Sequence, residues 1–174
     1  MSPAMLRSAI AGDRGTMGRL LGVSVPDSWE VRLAFLELRL QQLEANPSLP
    51  PWLIRGISLR DEGRLIGDIG GHSEPFISAS PPLRSLEIGY RVIEVDRRRG
   101  FAREAIEALM QWACDEHAVR RFLLSISPGN GPSLALAEKL GFRKIGSKID
   151  EEDGPEEIWE RIFKKSRKGA TIAT

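Results

Sequence analysis

The chain has 174 residues, 41% of them hydrophobic and 28% charged, with a formal net charge of +1. That length suits one domain with a sizeable core. The balance excludes a disordered or fibrous chain and a generally basic nucleic-acid or membrane binder. The one cysteine, Cys114, excludes an internal disulfide and supplies no metal cluster.

In chain order, Leu6 to Leu21 reads as a helix interrupted by Gly12 and Gly15. "PDSWEVRLAFLELRLQQLEANP" reads as a stronger helix, with Asp27 and Glu30 at capping-box spacing and Pro47 closing it. "WLIRGISLRDEGRLIGDIGGH" reads as two strands turned at Asp61-Glu62-Gly63, and residues 73 to 82 as a loop. "SLEIGYRVI" alternates cleanly. Leu86, Ile88, Tyr90 and Val92 share one face, and Glu87, Gly89 and Arg91 the other. A helix follows Gly100, with Ala102, Ile106, Leu109, Met110 and Ala113 at helical spacing. "RFLLSIS" is a further strand, and "GPSLALAEKL" a short helix between Pro132 and Gly141. "FRKIGSKI" and "EEIWERIFKK" read as closing strands, and "SRKGATIAT" as a frayed tail. The order predicts a mixed α/β domain around one twisted sheet.

Three adjacent cations, Arg97, Arg98 and Arg99, precede a helix start in a nearly neutral chain. They repel one another and the positive end of the helix dipole, so an anion is expected there. Backbone N–H groups at such a start bind phosphate, Gly100 lets the backbone approach closely, and Ala102 keeps the first turn narrow. Neither G-x-x-x-x-G-K-[ST] nor G-x-G-x-x-G is present. The pattern is R-x-x-G-x-A, Arg97 to Ala102.

That segment resembles the acetyl-coenzyme A pyrophosphate loop of the GNAT acetyltransferase superfamily. "NGPSLALAEKLGFRKIG" resembles the family's second block and "LEIGYRV" its central strand, in the family's order and spacing. The resemblance covers about Trp52 to Phe163. It is closest to the ribosomal-protein N-terminal (Rim-type) branch, through "IGDIGGH", "EIGY", "NGPS" and "EEIWER". It implies a single domain over 1–174, with a core at about 52–163, N-terminal helices over 1–50 and the tail at 165–174. The implied fold is one mixed, mostly antiparallel twisted sheet with helices on both faces. A splayed central strand pair would hold acetyl-coenzyme A.

By the same resemblance, Val92, Ile93 and Glu94 lie along the pantetheine arm. Arg97, Arg98, Arg99, Gly100, Phe101 and Ala102 surround the pyrophosphate, which backbone amides from Arg98 to Ala102 hold. Asn130 lies beside the pantetheine and Ser133 near the sulfur. Glu87 stands where several branches carry a general base. Each has a plainer reading: a solvated turn for the loop, an exposed strand residue for Glu87, helix capping for Asn130 and Ser133. The sequence departs from the family pattern in three places. Arg98 replaces a frequent glycine, and Glu94 a common proline. Ala137 stands where many relatives place a tyrosine acid, and the chain's one tyrosine is Tyr90, so a helix tyrosine is excluded.

His72, at a strand end before the loop, reads as a hydrogen-bonded structural histidine with a substrate-facing position as the alternative, His117 reads as structural, Trp29, Trp52, Trp112 and Trp159 as packing residues, and Cys114 as a packed helix residue. The expected activity is direct transfer of acetyl from acetyl-coenzyme A to a primary amine, on a protein N-terminus or a small molecule. Glu87 accepts the amine's proton, a strand N–H near Val92 polarises the thioester, and Ser133 is a candidate donor to the thiolate. A non-catalytic acyl-coenzyme A sensor or an interaction module is the alternative. No metal, membrane or direct nucleic-acid partner is expected, a homodimer is compatible with the family, and the expected compartment is the cytoplasm.

Overall fold

The computed structural model describes residues 1–46, 48–151 and 154–163. Helices α1 (Pro3–Ile10), α2 (Arg14–Leu21), α3 (Leu33–Ala45) and the single turn α4 (Pro50–Leu53) precede the sheet. Strands β1 (Arg55–Leu59), β2 (Arg64–Gly71), β3 (Phe76–Ile77) and β4 (Arg84–Val92) follow. Then come α5 (Phe101–His117), β5 (Arg121–Ile126), α6 (Gly131–Lys139), β6 (Arg143–Asp150) and β7 (Gly154–Ile162).

The seven strands form one mixed sheet in the order β1-β2-β4-β5-β7-β6, with the two-residue β3 also beside β4. Every pairing is antiparallel except β4 with β5. That parallel pair needs a long crossover, which α5 supplies. β4 and β5 pair only at Ser85–Arg121, Leu86–Phe122 and Glu87–Leu123. Beyond Glu87, β4 continues against β2 as far as Val92, and β5 continues against β7 as far as Ile126. The two central strands therefore fork, as the family resemblance implies.

Two cores hold the helices to the sheet. Leu86 and Ile88 of β4 pack with Phe122 and Leu124 of β5, Ile106 and Met110 of α5, and Ala137 of α6. Leu6, Met17, Leu36 and Leu43 of α1–α3 pack with Leu65 and Ile66 of β2. The alternation predicted along β4 is realised. Cys114 is buried and its thiol donates to the Val119 carbonyl at 3.0 Å.

Several sequence expectations are corrected. The helix over Leu6–Leu21 is two helices, because the chain turns at Gly12; Asp13 then caps α2 by accepting the Thr16 N–H at 2.8 Å. Gly15 lies inside α2. The capping box at Asp27 and Glu30 does not form, and α3 starts only at Leu33, without a side-chain cap. Glu30 instead pairs with Arg91 of β4 and Arg32 with Asp68 of β2, while Arg14 donates to the carbonyls of Pro26 and Trp29. The chain turns within residues 26–32, where the Trp29 N–H donates to the Pro26 carbonyl at 3.0 Å, and these contacts hold the turn in place. The loop over 73–82 contains β3, and a short turn of helix, α4, was not anticipated. Pro47, the end of the last strand at Lys164 and Lys165, and the tail lie outside the described residues.

Candidate active site

β4 ends in a tight 3-10 turn, Glu94–Asp96, that lowers the chain into the arginine loop. Asp96 is buried, and its carboxylate accepts from Arg64 at 2.8 and 3.1 Å and from Arg99 at 3.1 Å. Arg97 Nε donates to the Val92 carbonyl at 2.9 Å. Two of the three arginines are thus turned onto the loop's own framework. Arg98 has φ 60° and Gly100 φ 90°, both left-handed. Successive turns of this kind gather backbone N–H groups into a concavity suited to an anion. Gly100 caps α5 without a side-chain hydrogen bond, so the first-turn amides at Phe101 and Ala102 remain for a ligand.

The fork leads from this loop. Glu87 accepts the His72 N–H through its backbone carbonyl, and the Ile93 N–H donates to Ile66, so both residues turn their backbone groups toward β2. Strand backbone direction alternates, so the N–H and C=O groups of Ile88, Tyr90 and Val92 turn the other way, into the fork. A linear amide-bearing arm can pair there like an added strand. At the fork's far wall, Asn130 caps α6 by accepting the Ser133 N–H at 3.2 Å. The plain capping reading of Asn130 is therefore realised, while the Ser133 hydroxyl lies beside Tyr90.

Glu87 sits at the last paired rung, half-buried on the other face of β4. Its Oε1 accepts from the Ser125 hydroxyl at 2.6 Å and lies 3.5 Å from His72 Nδ1 and 3.7 Å from Lys148 Nζ. Burial works against the Lys148 charge. The carboxylates of Glu87, Glu156 and Asp150 outweigh it and hold the ammonium above the usual lysine range. The His72 ring is about half exposed and lies over Gly89, where an added Cβ would meet Nε2 at 2.9 Å. Its carbonyl accepts from Arg39 at 2.9 Å. His72 is thus half-exposed and adjacent to the Glu87 carboxylate. Ser125, Lys148 and His72 were not picked out as site residues, since only strand register brings them to Glu87.

The residues expected to serve packing remain apart from this centre. His117 packs against Trp52 and Trp112 with ring centroids 4.6 Å from each, which confirms packing roles for all three. Burial pushes the Cys114 thiol up, which disfavours a nucleophilic thiolate. Among the described residues, no group of three or more His, Cys, Asp or Glu side chains is placed to hold a metal, and no helix is long and apolar enough to cross a membrane.

A family model described as an acetyltransferase (GNAT) domain matches residues 3–143, including the N-terminal helices. The chain is 34% identical over 91 residues to the uncharacterized N-acetyltransferase YoaA of Bacillus subtilis, covering 52% of this chain and 49% of that protein. It spans about half the length of the curated relatives it matches. A Bordetella pertussis protein ascribed to the GnaT acetyltransferase family superposes with a TM-score of 0.63 at 22% identity, over 92% of this chain and 91% of that one. A spermidine N-acetyltransferase SpeG chimera of Vibrio cholerae and hSSAT gives 0.60 at 15% identity, over 76% and 84%. Both solved structures share the fold. The chain belongs to the acetyltransferase (GNAT) domain family.

Proposed function

We propose that this protein transfers acetyl from acetyl-coenzyme A to a primary amine, directly and without an acetylated enzyme. The observation that carries the reading is the fork between β4 and β5, which runs from the amide-rich loop at 97–102 to the carboxylate of Glu87. In this reading the amides from Arg98 to Ala102 hold the pyrophosphate, and the three arginines add outer charge, Arg97 and Arg99 while also bracing the loop. Val92, Ile93 and Glu94 line the start of the pantetheine arm, Asn130 and Ser133 its far wall, and a fork-facing strand N–H polarises the thioester carbonyl. Glu87 receives the amine's proton, with His72 and Lys148 at its side. A buried Cys114 with a raised pKa leaves no evident nucleophile for a covalent route.

An N-terminal α-amine, with a pKa of about 8, is neutral far more often near pH 7 than a lysine at about 10.4. A single modest base therefore favours a protein N-terminus, with small-molecule amines second, and the cytoplasm is the matching compartment. Calorimetric titration with acetyl-coenzyme A, paired with thiol release over peptides and small amines, tests the proposal. Binding with turnover on a peptide N-terminus is expected. Glu87 is already engaged by Ser125 and Lys148, which favours a second reading as an acyl-coenzyme A sensor. Binding without thiol release on any amine would select that reading, and absence of binding would end both.

A further inference from the structure

Arg39 of α3 is a buried cation, with 6% of its surface exposed, and among the described residues it forms no ion pair. Its Nη1 donates to the His72 carbonyl at 2.9 Å and to Gln42 Oε1 at 2.8 Å. The guanidinium stands 5.0 Å from the centre of the Phe35 ring, and its Nε has no partner. Burial pushes Arg39 below the usual arginine range, and the neighbouring Arg32 charge adds to this. Such burial costs stability, and an apolar side chain of similar volume often serves a core as well or better. Packing alone therefore does not account for an arginine here. Among the described residues, its one hydrogen bond outside α3 goes to His72.

His72 needs such an anchor. The β2–β4 ladder ends at Gly71–Ile88, and residues 72–75 lie outside any strand. The His72 N–H still reaches the Glu87 carbonyl, at 3.0 Å, while its own carbonyl has left the sheet and is met by Arg39. With the residue held on both sides, its ring lies over Gly89 and its Nδ1 is 3.5 Å from Glu87 Oε1. We infer that Arg39 is a positioning residue for the acceptor: it fixes the His72 backbone, so that the imidazole forms the wall against which the incoming amine is oriented at Glu87. This rests on the acetyl-transfer reading above. Without the anchor the half-exposed ring is free to swing, and the acceptor meets Glu87 under less constraint. Misplacement by about 1 Å at a reacting centre costs up to about a hundredfold in rate. None of the Arg39 contacts involves residues 97–102, so cofactor binding lies outside its influence.

A double-mutant cycle tests this, with acetyl-coenzyme A and a peptide with a free N-terminus on which the protein turns over. Arg39→Met keeps an apolar stem and removes the donor, and His72→Ala removes the ring. Each alone should lower kcat/KM for the amine about tenfold, with acetyl-coenzyme A affinity unchanged by calorimetry. In the His72→Ala background Arg39→Met should cost nothing further, because both act through one ring. Where Arg39→Met folds poorly, Arg39→Gln, too short to reach the carbonyl, takes its place in the cycle. An equal penalty in both backgrounds would show that Arg39 does not act through His72, and would overturn the inference. So would a wild-type kcat/KM in either single variant, or an equal loss of acetyl-coenzyme A affinity in the Arg39 variant. No thiol release from the wild-type protein on any amine would instead end the acetyl-transfer reading, and this inference with it.

Discussion

Arg64, at the start of β2, grips Asp96 with both terminal nitrogens of its guanidinium, at 2.8 and 3.1 Å. The pair fixes the turn from which the arginine loop springs, and Arg99 approaches the same carboxylate from the loop itself. Hydrogen bonds from Arg64, more than any other influence, hold the Asp96 carboxyl below the usual carboxylate range. A depressed folded pKa gives stabilisation that is complete above the unfolded value of about 3.9 and is lost as pH falls through the folded value. Asp96→Asn should cost about 3 kcal/mol at neutral pH, as when one member of a buried ion pair is removed. Urea unfolding across the acid range checks this. The gap between the two proteins should close as pH falls, and a constant gap would refute the electrostatic account.

Gly100 occupies φ 90° with no heavy atom within 4 Å of where a Cβ would lie. Substitution there is opposed by backbone conformation and not by crowding, and a β-branched residue suffers most. Gly100→Val is expected to reshape the amide concavity and weaken acetyl-coenzyme A binding at least tenfold, with the rest of the fold retained. Calorimetry on a protein whose circular dichroism matches wild type is the check. Undiminished affinity would remove the loop from the cofactor site.

Glu87→Gln keeps the side chain's shape and its contact with Ser125 while removing the base. Cofactor affinity should hold, since the loop is untouched, and turnover should fall on the order of a hundredfold. The deficit should shrink as pH rises, because more of the acceptor arrives neutral. Parallel pH–rate profiles with equal maximal rates would take Glu87 out of the chemistry.

At Gly89 the prediction concerns His72. A methyl group there meets Nε2 at 2.9 Å and Cδ2 at 3.3 Å, the far end of a half-exposed side chain that can swing aside. Gly89→Ala should therefore fold and bind acetyl-coenzyme A normally, yet lose several-fold in kcat/KM for the amine as the ring leaves Glu87. Steady-state kinetics with each substrate varied separates the two effects. An unchanged kcat/KM for the amine would show that His72 plays no part on the acceptor side.

The elements that were legible in the sequence are those whose pattern one neighbour enforces. β4 alternates because one face is packed into a core, and the loop after it stands out because three adjacent arginines meet Gly100, although Arg97 and Arg99 find partners within the loop's own framework. The capping box at Asp27 and Glu30 failed because local spacing cannot foresee Arg91, 61 residues along, claiming Glu30. The site was half legible for the same reason. Gly71 pairs with Ile88, which sets His72 against Glu87, and Ser125 and Lys148 arrive from strands whose register no local pattern fixes. Tyr90 was noted as absent from the helix, and only the packing of α6 against β4 shows where its hydroxyl goes.

Backbone pairing joins β1-β2-β4 to β5-β7-β6 at three rungs only, so the sheet divides into two leaves over a shared side-chain core. Glu87 belongs to one leaf, and Ser125 and Lys148, which touch it, belong to the other. A ligand that enters the fork is expected to adjust the angle between the leaves, and with it the spacing around Glu87. An acceptor thus meets a finished pocket only after that ligand is in place. The kinetic signature is compulsory order: acetyl-coenzyme A first on, coenzyme A last off, with coenzyme A competing against acetyl-coenzyme A and never against the amine. Competition between coenzyme A and the amine would mean that the leaves do not move and the pocket is ready in advance.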